Sequence, residues 1–276
     1  MRFEDFANIH GVIISNLVMN RNMRVPTEDH PNSKNGSYKF LGNVGFVRNF
    51  ATMDKPAVWF DDTKTFTPEM RTKSIKDYDK ARKHDADNAT KKAGWIMHQT
   101  KPNFHPYLAS KGFEFEVGNV WNKGEEKILV IPMRINNKII GCQLIGNKGE
   151  KKFLYGQTSK GATFTMNAKG IPIFCEGYAT GLSIREVMKA SNIPYCIYVC
   201  FSATNMEFVA REFREGIVIA DNDNSHTGEL MAKKTAKLYW ISPTVGEDFN
   251  DFHKRVGTFQ ASLSLKQILT QYKMVA

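Results

Sequence analysis

Three stretches of this chain carry carboxylates where a β-like apolar run gives way to a helix-like one. The run IPIFC, residues 171–175, leads into Glu176 and Gly177. The run GIVIA, residues 216–220, leads into Asp221 and Asp223. The segment GEDFNDFH places Asp248 and Asp251 ahead of a helix-like stretch. In open α/β sheets, ligands collect at the carboxyl ends of the strands, which is where these acids fall. An all-oxygen donor set of this kind suits magnesium, which takes few carboxylates, keeps several waters and shares substrate phosphates. Asp221 and Asp223 are two residues apart, so on leaving an extended strand both face one edge. Glu176 comes from a separate junction and serves as a general base or as a ligand of a second ion. Acids after strands also act as turn formers and helix caps. That plainer reading holds for any one of them and weakens when three junctions repeat the pattern.

Such acids need a sheet to hold them. From residue 171 the sequence alternates. IPIFCEG and PYCIYVCFS read as strands, YATGLSIREVMKAS and NMEFVAREFR as helices. GIVIADND reads as a strand, HTGELMAKKTAKLYW and FQASLSLKQILTQYKM as helices. Strands alternating with helices of this length build βαβ units and a mostly parallel sheet. Residues 126–166 instead read as a β-meander, EKILVIPMRI, KIIGCQLIG, KKFLYG and ATFTM, separated by turn-forming NN, NKGE and QTSKG. Residues 67–100 form a helix that starts at Thr67-Pro68-Glu69. Nine Lys and Arg against four Asp over 71–101 give it +5 and a solvated character. Ahead of it, Phe3, Phe6, Ile9, Ile13 and Leu17 have helical spacing over 3–19, followed by turn-rich sequence and the short β-like runs GFVRNF and AVWF. The organisation expected is a small module over 1–66, a charged connecting helix over 67–103, a mixed β subdomain over 104–168 and an α/β catalytic domain over 169–276.

Basic residues surround the acids in sequence. Between 146 and 169, five lysines face Glu150 alone, hence +4, and the whole chain carries +10 with a pI near 9.3. Such an excess favours polyanion partners through counterion release. Lys151, Lys152 and Lys160 would neutralise template or triphosphate charge, and Arg134 would clamp a phosphate with its planar fork. Taken alone, a Lys-rich hairpin is more often a solvated edge. In the N-terminal module, Tyr38, Phe46 and Trp59 are candidates for stacking on bases, or else that module's own core.

The order strand-Glu-Gly, strand-Asp-x-Asp, Asp-x-Asn-Asp resembles the TOPRIM domain shared by bacterial and phage primases, topoisomerases and some nucleases. CEGYATGLSI is similar to the form of its first motif in phage and plasmid primases, IADNDNSHTGE to the second motif and GEDFNDFH to the third, together over roughly 171–255. HPYLASKGF, IPMRINNKIIGCQLI and KKFLYGQTSKGA resemble the core that precedes TOPRIM in phage primases. VPTEDHPNSKNGSYKF and GFVRNFAT resemble their leader. The resemblance implies a DNA primase, a nucleotidyltransferase that makes short RNA primers on single-stranded DNA from ribonucleoside triphosphates in phage-type replication. It implies Glu176, Asp221 and Asp223 as catalytic and, with Asp248, as ligands of Mg2+ or Mn2+. A TOPRIM nuclease and a non-catalytic DNA-binding replication accessory are the alternatives.

The remaining composition narrows the classes. The chain has 276 residues, 42% hydrophobic and 24% charged, enough for a core and against a wholly disordered chain. No apolar run approaches the ~20 residues that cross a bilayer, and the first residues lack the pattern of a signal peptide. A cytoplasmic protein is expected, in the host cytoplasm if phage-encoded. Cys142, Cys175, Cys196 and Cys200 lack zinc-type spacing, so zinc is not expected and buried reduced thiols are. No phosphate loop of the GxxxxGK[ST] type occurs, which points to a separate helicase as partner. His253, after the third acidic motif, is a candidate phosphate contact.

Overall fold

The computed structural model describes every residue except Ser33, Asp54, Ser225 and Ala276. Two compact units divide the chain, Met1–Lys83 and His84–Ala276.

In the first unit, helix α1 (Phe3–Ile9) precedes four antiparallel strands in sequential order: β1 (Asn22–Val25), β2 (Gly36–Phe40), β3 (Val44–Asn49) and β4 (Ala57–Phe60). The helix expected over 3–19 stops at Ile9. Gly11 turns the backbone to φ +65, and Val12 then bridges Thr27 instead of continuing the helix. Phe3, Ala7, Val12, Tyr38, Val47 and Trp59 form the core. Gly45 is required beneath it, since a Cβ there would lie 2.1 Å from the Phe3 ring. Tyr38 and Trp59 are buried in this core, and Phe46 is buried against Tyr78, stacked at 3.7 Å. The three aromatics considered for base stacking are therefore packing residues. The long charged helix α2 (Pro68–Gln99) follows the expected span.

The second unit contains two sheets. Strands β5 (Lys101–Asn103), β6 (Gly118–Lys123), β7 (Glu126–Ile135), β8 (Lys138–Ile145) and β9 (Lys151–Phe153) form an antiparallel sheet in chain order, with helix α3 (Pro106–Ser110) after β5. The end of α2 buries Ala89, Ala93 and Ile96 against Ile128, Val130 and Cys142 of this sheet.

The other sheet has the order β10-β12-β11-β13-β14. Its members are β10 (Phe164–Lys169), β11 (Ile171–Cys175), β12 (Tyr195–Val199), β13 (Ile217–Ala220) and β14 (Leu238–Ile241), with helices α4 (Tyr178–Ala190), α5 (Ala203–Arg211), α6 (Thr227–Lys234) and α7 (Phe249–Val275). All four strands from β11 onward are parallel, as expected, while β10 pairs antiparallel with β12. Two expectations change. ATFTM leaves the meander, because Met166 packs into the core under α4. LYW leaves the expected helix, because Ala236 takes φ +55 and Leu238 onward pairs with β13.

Alternating burial along the strands explains the layers. Ile173, Cys175, Ile197, Val199, Ile217 and Ile219 face α4 and α7. Phe174, Val218 and Ala220 face the opposite way, against Met206, Val209 and Ala210 of α5 and Ala232 of α6. Tyr107, Leu129, Ile131 and Ile145 belong to the same core as α4 and α7, so the two sheets share one interior.

Candidate active site

The chain leaves β11 through α4 toward β12 on one side, and leaves β13 through α6 toward β14 on the other. Neighbouring strands whose connections diverge leave a crevice at their carboxyl ends, the topological switch point where ligands bind in open α/β sheets. Glu176 follows β11 and Asp221 follows β13, so the crevice opens between them.

The acids there repel one another. Burial first, then the Asp221 and Asp223 charges, hold the Glu176 carboxyl well above its ordinary range, while Lys151 pulls it back. Asp221 is pushed up to about 7 by burial and by Asp248, again opposed by Lys151. Asp221 is part-exposed as a residue, but its Oδ1 is sealed from solvent without a hydrogen-bond partner. Such an oxygen is expensive unless a cation or donor meets it. The backbone N–H of Ala203, first residue of α5, donates to Glu176 and offsets part of its cost. The backbone N–H of Phe201, at φ +69, donates to the Glu176 carbonyl at 2.8 Å and fixes the turn.

Asp223 and Asp248 each accept a backbone N–H at the start of a helix. Asp223 Oδ1 accepts from Thr227 N at 3.3 Å at the start of α6. Asp248 Oδ1 accepts from Asp251 N at 2.8 Å, a helix cap of the ordinary kind. Asp251 pairs with Lys111 at 3.4 Å. Glu247, beside them, is held by Arg255 and Ser242 and belongs to the scaffold.

The basic residues separate by face. Lys151 and Phe153 share one side of β9: Lys151 acts on Glu176 and Asp221, and Phe153 meets Phe201 edge-on at 6.3 Å. Lys152 points to the other side of that strand. Lys160 lies over the Phe208 ring of α5 at 4.6 Å. Arg134 donates from Nη1 to its own hairpin, at Asn137 O, at 3.1 Å. His253 engages Ser183 and Thr258 with its two ring nitrogens, both at 3.0 Å, across the break in α7 at Gly257. It is a structural bridge, not a phosphate ligand. All four cysteines are buried free thiols.

Several residues that build the site carry no motif-level signal. Buried Asn205 accepts from Gly161 N at 2.7 Å and donates to Ala162 O and Cys200 O at 2.8 and 2.7 Å, tying the Lys160 loop to the end of β12. Gly228 lets α6 press on the Asp221 backbone, where a Cβ would lie 2.4 Å from its carbonyl oxygen.

The donor set fits a sparsely liganded hard cation. It is all oxygen, its charges are crowded, and one buried oxygen is unspent. Among the described residues no three His, Cys, Asp or Glu side chains close a cage around one ion. Magnesium does not need one, since one or two carboxylates with waters and substrate phosphates suffice.

A family model described as the Toprim domain matches residues 172–258. Those residues are a Toprim domain, and the resemblance read at roughly 171–255 is borne out there. Two solved bacteriophage T7 structures are similar to the chain. The first is T7 lagging-strand DNA polymerase interacting with primase domains bound to an RNA/DNA hybrid and dTTP, at 14% identity over 60% of this chain and 91% of that chain, with a TM-score of 0.44. The second is the primase fragment of the T7 primase-helicase protein, at 14% identity over 59% of this chain and 68% of that chain, with a TM-score of 0.41. No curated protein matches. Among the described residues, no helix is long and apolar enough to cross a membrane.

Proposed function

We propose that the chain is a DNA primase of the phage type, joining ribonucleotides into short primers on single-stranded DNA. The observation that carries the proposal is the pairing of a Toprim domain with a crevice where Glu176 and Asp221 crowd together and Lys151 faces them. Asp221 with Asp223 would hold Mg2+ or Mn2+ at the end of β13, since one or two carboxylates suffice, and Glu176 across the crevice would serve as general base or hold a second ion, with Asp248 beside them at the start of α7. A bound ion would supply Lewis-acid activation of the attacking 3′-hydroxyl and charge neutralisation at the α-phosphate, from which pyrophosphate leaves.

The chain's own groups do the positioning. Lys151 offsets the acids when no substrate is present and neutralises a triphosphate when one is bound. Lys160, on the loop that Asn205 fixes, contacts the same phosphates. Lys152 and Arg134 take the template strand farther from the acids. A separate replicative helicase is the proposed partner, and the cytoplasm, that of a host cell for a phage protein, the proposed compartment.

The test is to incubate the protein with single-stranded DNA, labelled ribonucleoside triphosphates and magnesium. New short RNA supports the proposal. Shortened DNA without RNA identifies a nuclease using the same acids, and retention of DNA without either product identifies a binding accessory.

A further inference from the structure

The four strands of the first unit bury one face and display the other. Met23, Val25, Tyr38, Phe40 and Val47 turn inward onto Phe3 and Trp59. Their neighbours along each strand therefore turn outward. Register sets these in two rows: Asn22, Lys39 and Phe46, then Arg24, Ser37 and Arg48, two residues further along the strands and about 7 Å away. A polar outer face is ordinary for an antiparallel sheet. This one carries cations laid over aromatic rings.

Arg24 and Arg48 stand on strands separated by β2, so their backbones are about 10 Å apart. Their guanidinium groups nevertheless converge on one ring: each lies over Phe50, at 4.2 and 4.7 Å. Arg24 donates from Nε and Nη2 to Lys34 O, and Arg48 donates from Nε to Met53 O at 3.2 Å. Backbone and ring thus hold both groups in place. Burial first, then the Arg48 charge, lowers the Arg24 pKa from its ordinary value. One row away, Tyr78 of α2 stacks on Phe46 at 3.7 Å, and the Lys39 Nζ and the Arg82 Cζ each lie 5.9 Å from the Tyr78 ring centre. Acids of this unit are engaged elsewhere: Asp29 by Asn49 and His30, Asp61 by Thr63, and Asp62 by the N-terminal amine. Among the described residues, no carboxylate pairs with Arg24, Lys39 or Arg82.

We propose that this outer face binds single-stranded DNA, with Arg24, Lys39 and Arg82 on its phosphates. Cations gathered on one face without acid partners suit a polyanion, and each phosphate contact releases condensed counterions. Arg24 is exposed, and a guanidinium held over a ring offers its fork to a phosphate and its plane to an unstacked base. Unstacked bases belong to single strands, which favours them over duplex DNA. Phosphate contacts carry no base-edge readout, so binding is expected to be insensitive to sequence. The inference goes beyond the proposed function, which places the template on Lys152 and Arg134 of the second unit, and it needs neither an ion nor catalysis.

The experiment is fluorescence anisotropy of labelled single-stranded oligonucleotides on the full chain, across a salt series without divalent ion. The variants are Arg24→Gln, Lys39→Gln combined with Arg82→Gln, and Lys76→Gln combined with Lys80→Gln as the control. Lys76 and Lys80 are exposed and lie two residues either side of Tyr78, off the face of α2 that carries Arg82. The salt slope should fall by roughly 0.7 in Arg24→Gln and by roughly 1.4 in the Lys39/Arg82 pair, and keep its wild-type value in the control. Arg24→Gln gives up bonds to the backbone, so melting curves accompany it. Among the described residues Lys39 and Arg82 make no such bond, and their pair decides the matter if Arg24→Gln melts early. A wild-type slope in the pair overturns the proposal. An equal fall in the control overturns it too, because net charge alone then accounts for binding, and so does a duplex of the same length that binds as tightly as the single strand. Primer synthesis absent from a protein that shows these slopes overturns the primase reading and supports the surface.

Discussion

Replacing Asp221 with Asn should make the ion-free protein more stable at neutral pH and leave it unchanged in acid. The folded-state pKa of Asp221 is raised from 3.8 to about 7, so folding penalises its charged form. Below the unfolded value both states are protonated and the penalty is absent. It grows as pH rises between the two values and is complete above about 7. About three units at about 1.36 kcal/mol each give roughly 4 kcal/mol. The crevice is open on one side and screens part of this, so about half, ~2 kcal/mol, is expected. For a unit of this size that is a gain of roughly 4–8 °C in melting temperature near pH 8 and none near pH 4. The assay is thermal unfolding of both proteins across that range, then again with millimolar Mn2+. The ion should stabilise wild type, because it binds the folded state, and should do little for the variant. An Asp221→Asn protein that melts below wild type at pH 8, or a difference independent of pH, would refute the reasoning.

Other consequences follow from the same geometry. Lys152→Ala should weaken single-stranded DNA binding and lower its salt slope by roughly 0.7, whereas Lys151→Ala, on the face of β9 toward the acids and the triphosphate, should lower it less; filter binding across a salt series separates them. Asn205→Ala removes three hydrogen bonds, two of them buried, and should cost roughly 2–4 kcal/mol, read as a lower denaturant midpoint, with primer yield falling more than stability alone accounts for. Gly228→Ala must displace α6 from the Asp221 carbonyl and should lower Mn2+ affinity as well as melting temperature. Asp223→Asn keeps an acceptor for the Thr227 N–H and should stay folded while losing most primer synthesis in a magnesium titration.

The heart of the parallel sheet and its acids were legible because β11 and β13 are each a short apolar run ending on a carboxylate, a pattern that local sequence carries whole. Glu176 and Asp221 needed no partner in sequence to be placed. What escaped depends on side chains meeting from distant segments. The ATFTM run looks like one more meander strand until Met166 finds the space under α4. LYW continues a helical pattern, and only the left-handed Ala236 and pairing with β13 make it a strand. Lys151 and Lys152 are equivalent in sequence, and strand register alone decides which faces the acids. Tyr38, Phe46 and Trp59 became packing residues for the same reason: the charged helix α2 lent Tyr78 to cover Phe46. Asn205 sits in unremarkable helical sequence, and its role exists only through Gly161, 44 positions away.

The most direct test of the central claim is a crystal structure with Mn2+, a non-hydrolysable ribonucleoside triphosphate and single-stranded DNA, with the ion located by its anomalous scattering. The account predicts a peak in the crevice between β11 and β13, about 2.1 Å from Asp221 Oδ1, with the triphosphate reaching it and Lys151 against the phosphates. A peak elsewhere, or a triphosphate bound away from Glu176 and Asp221, would contradict it.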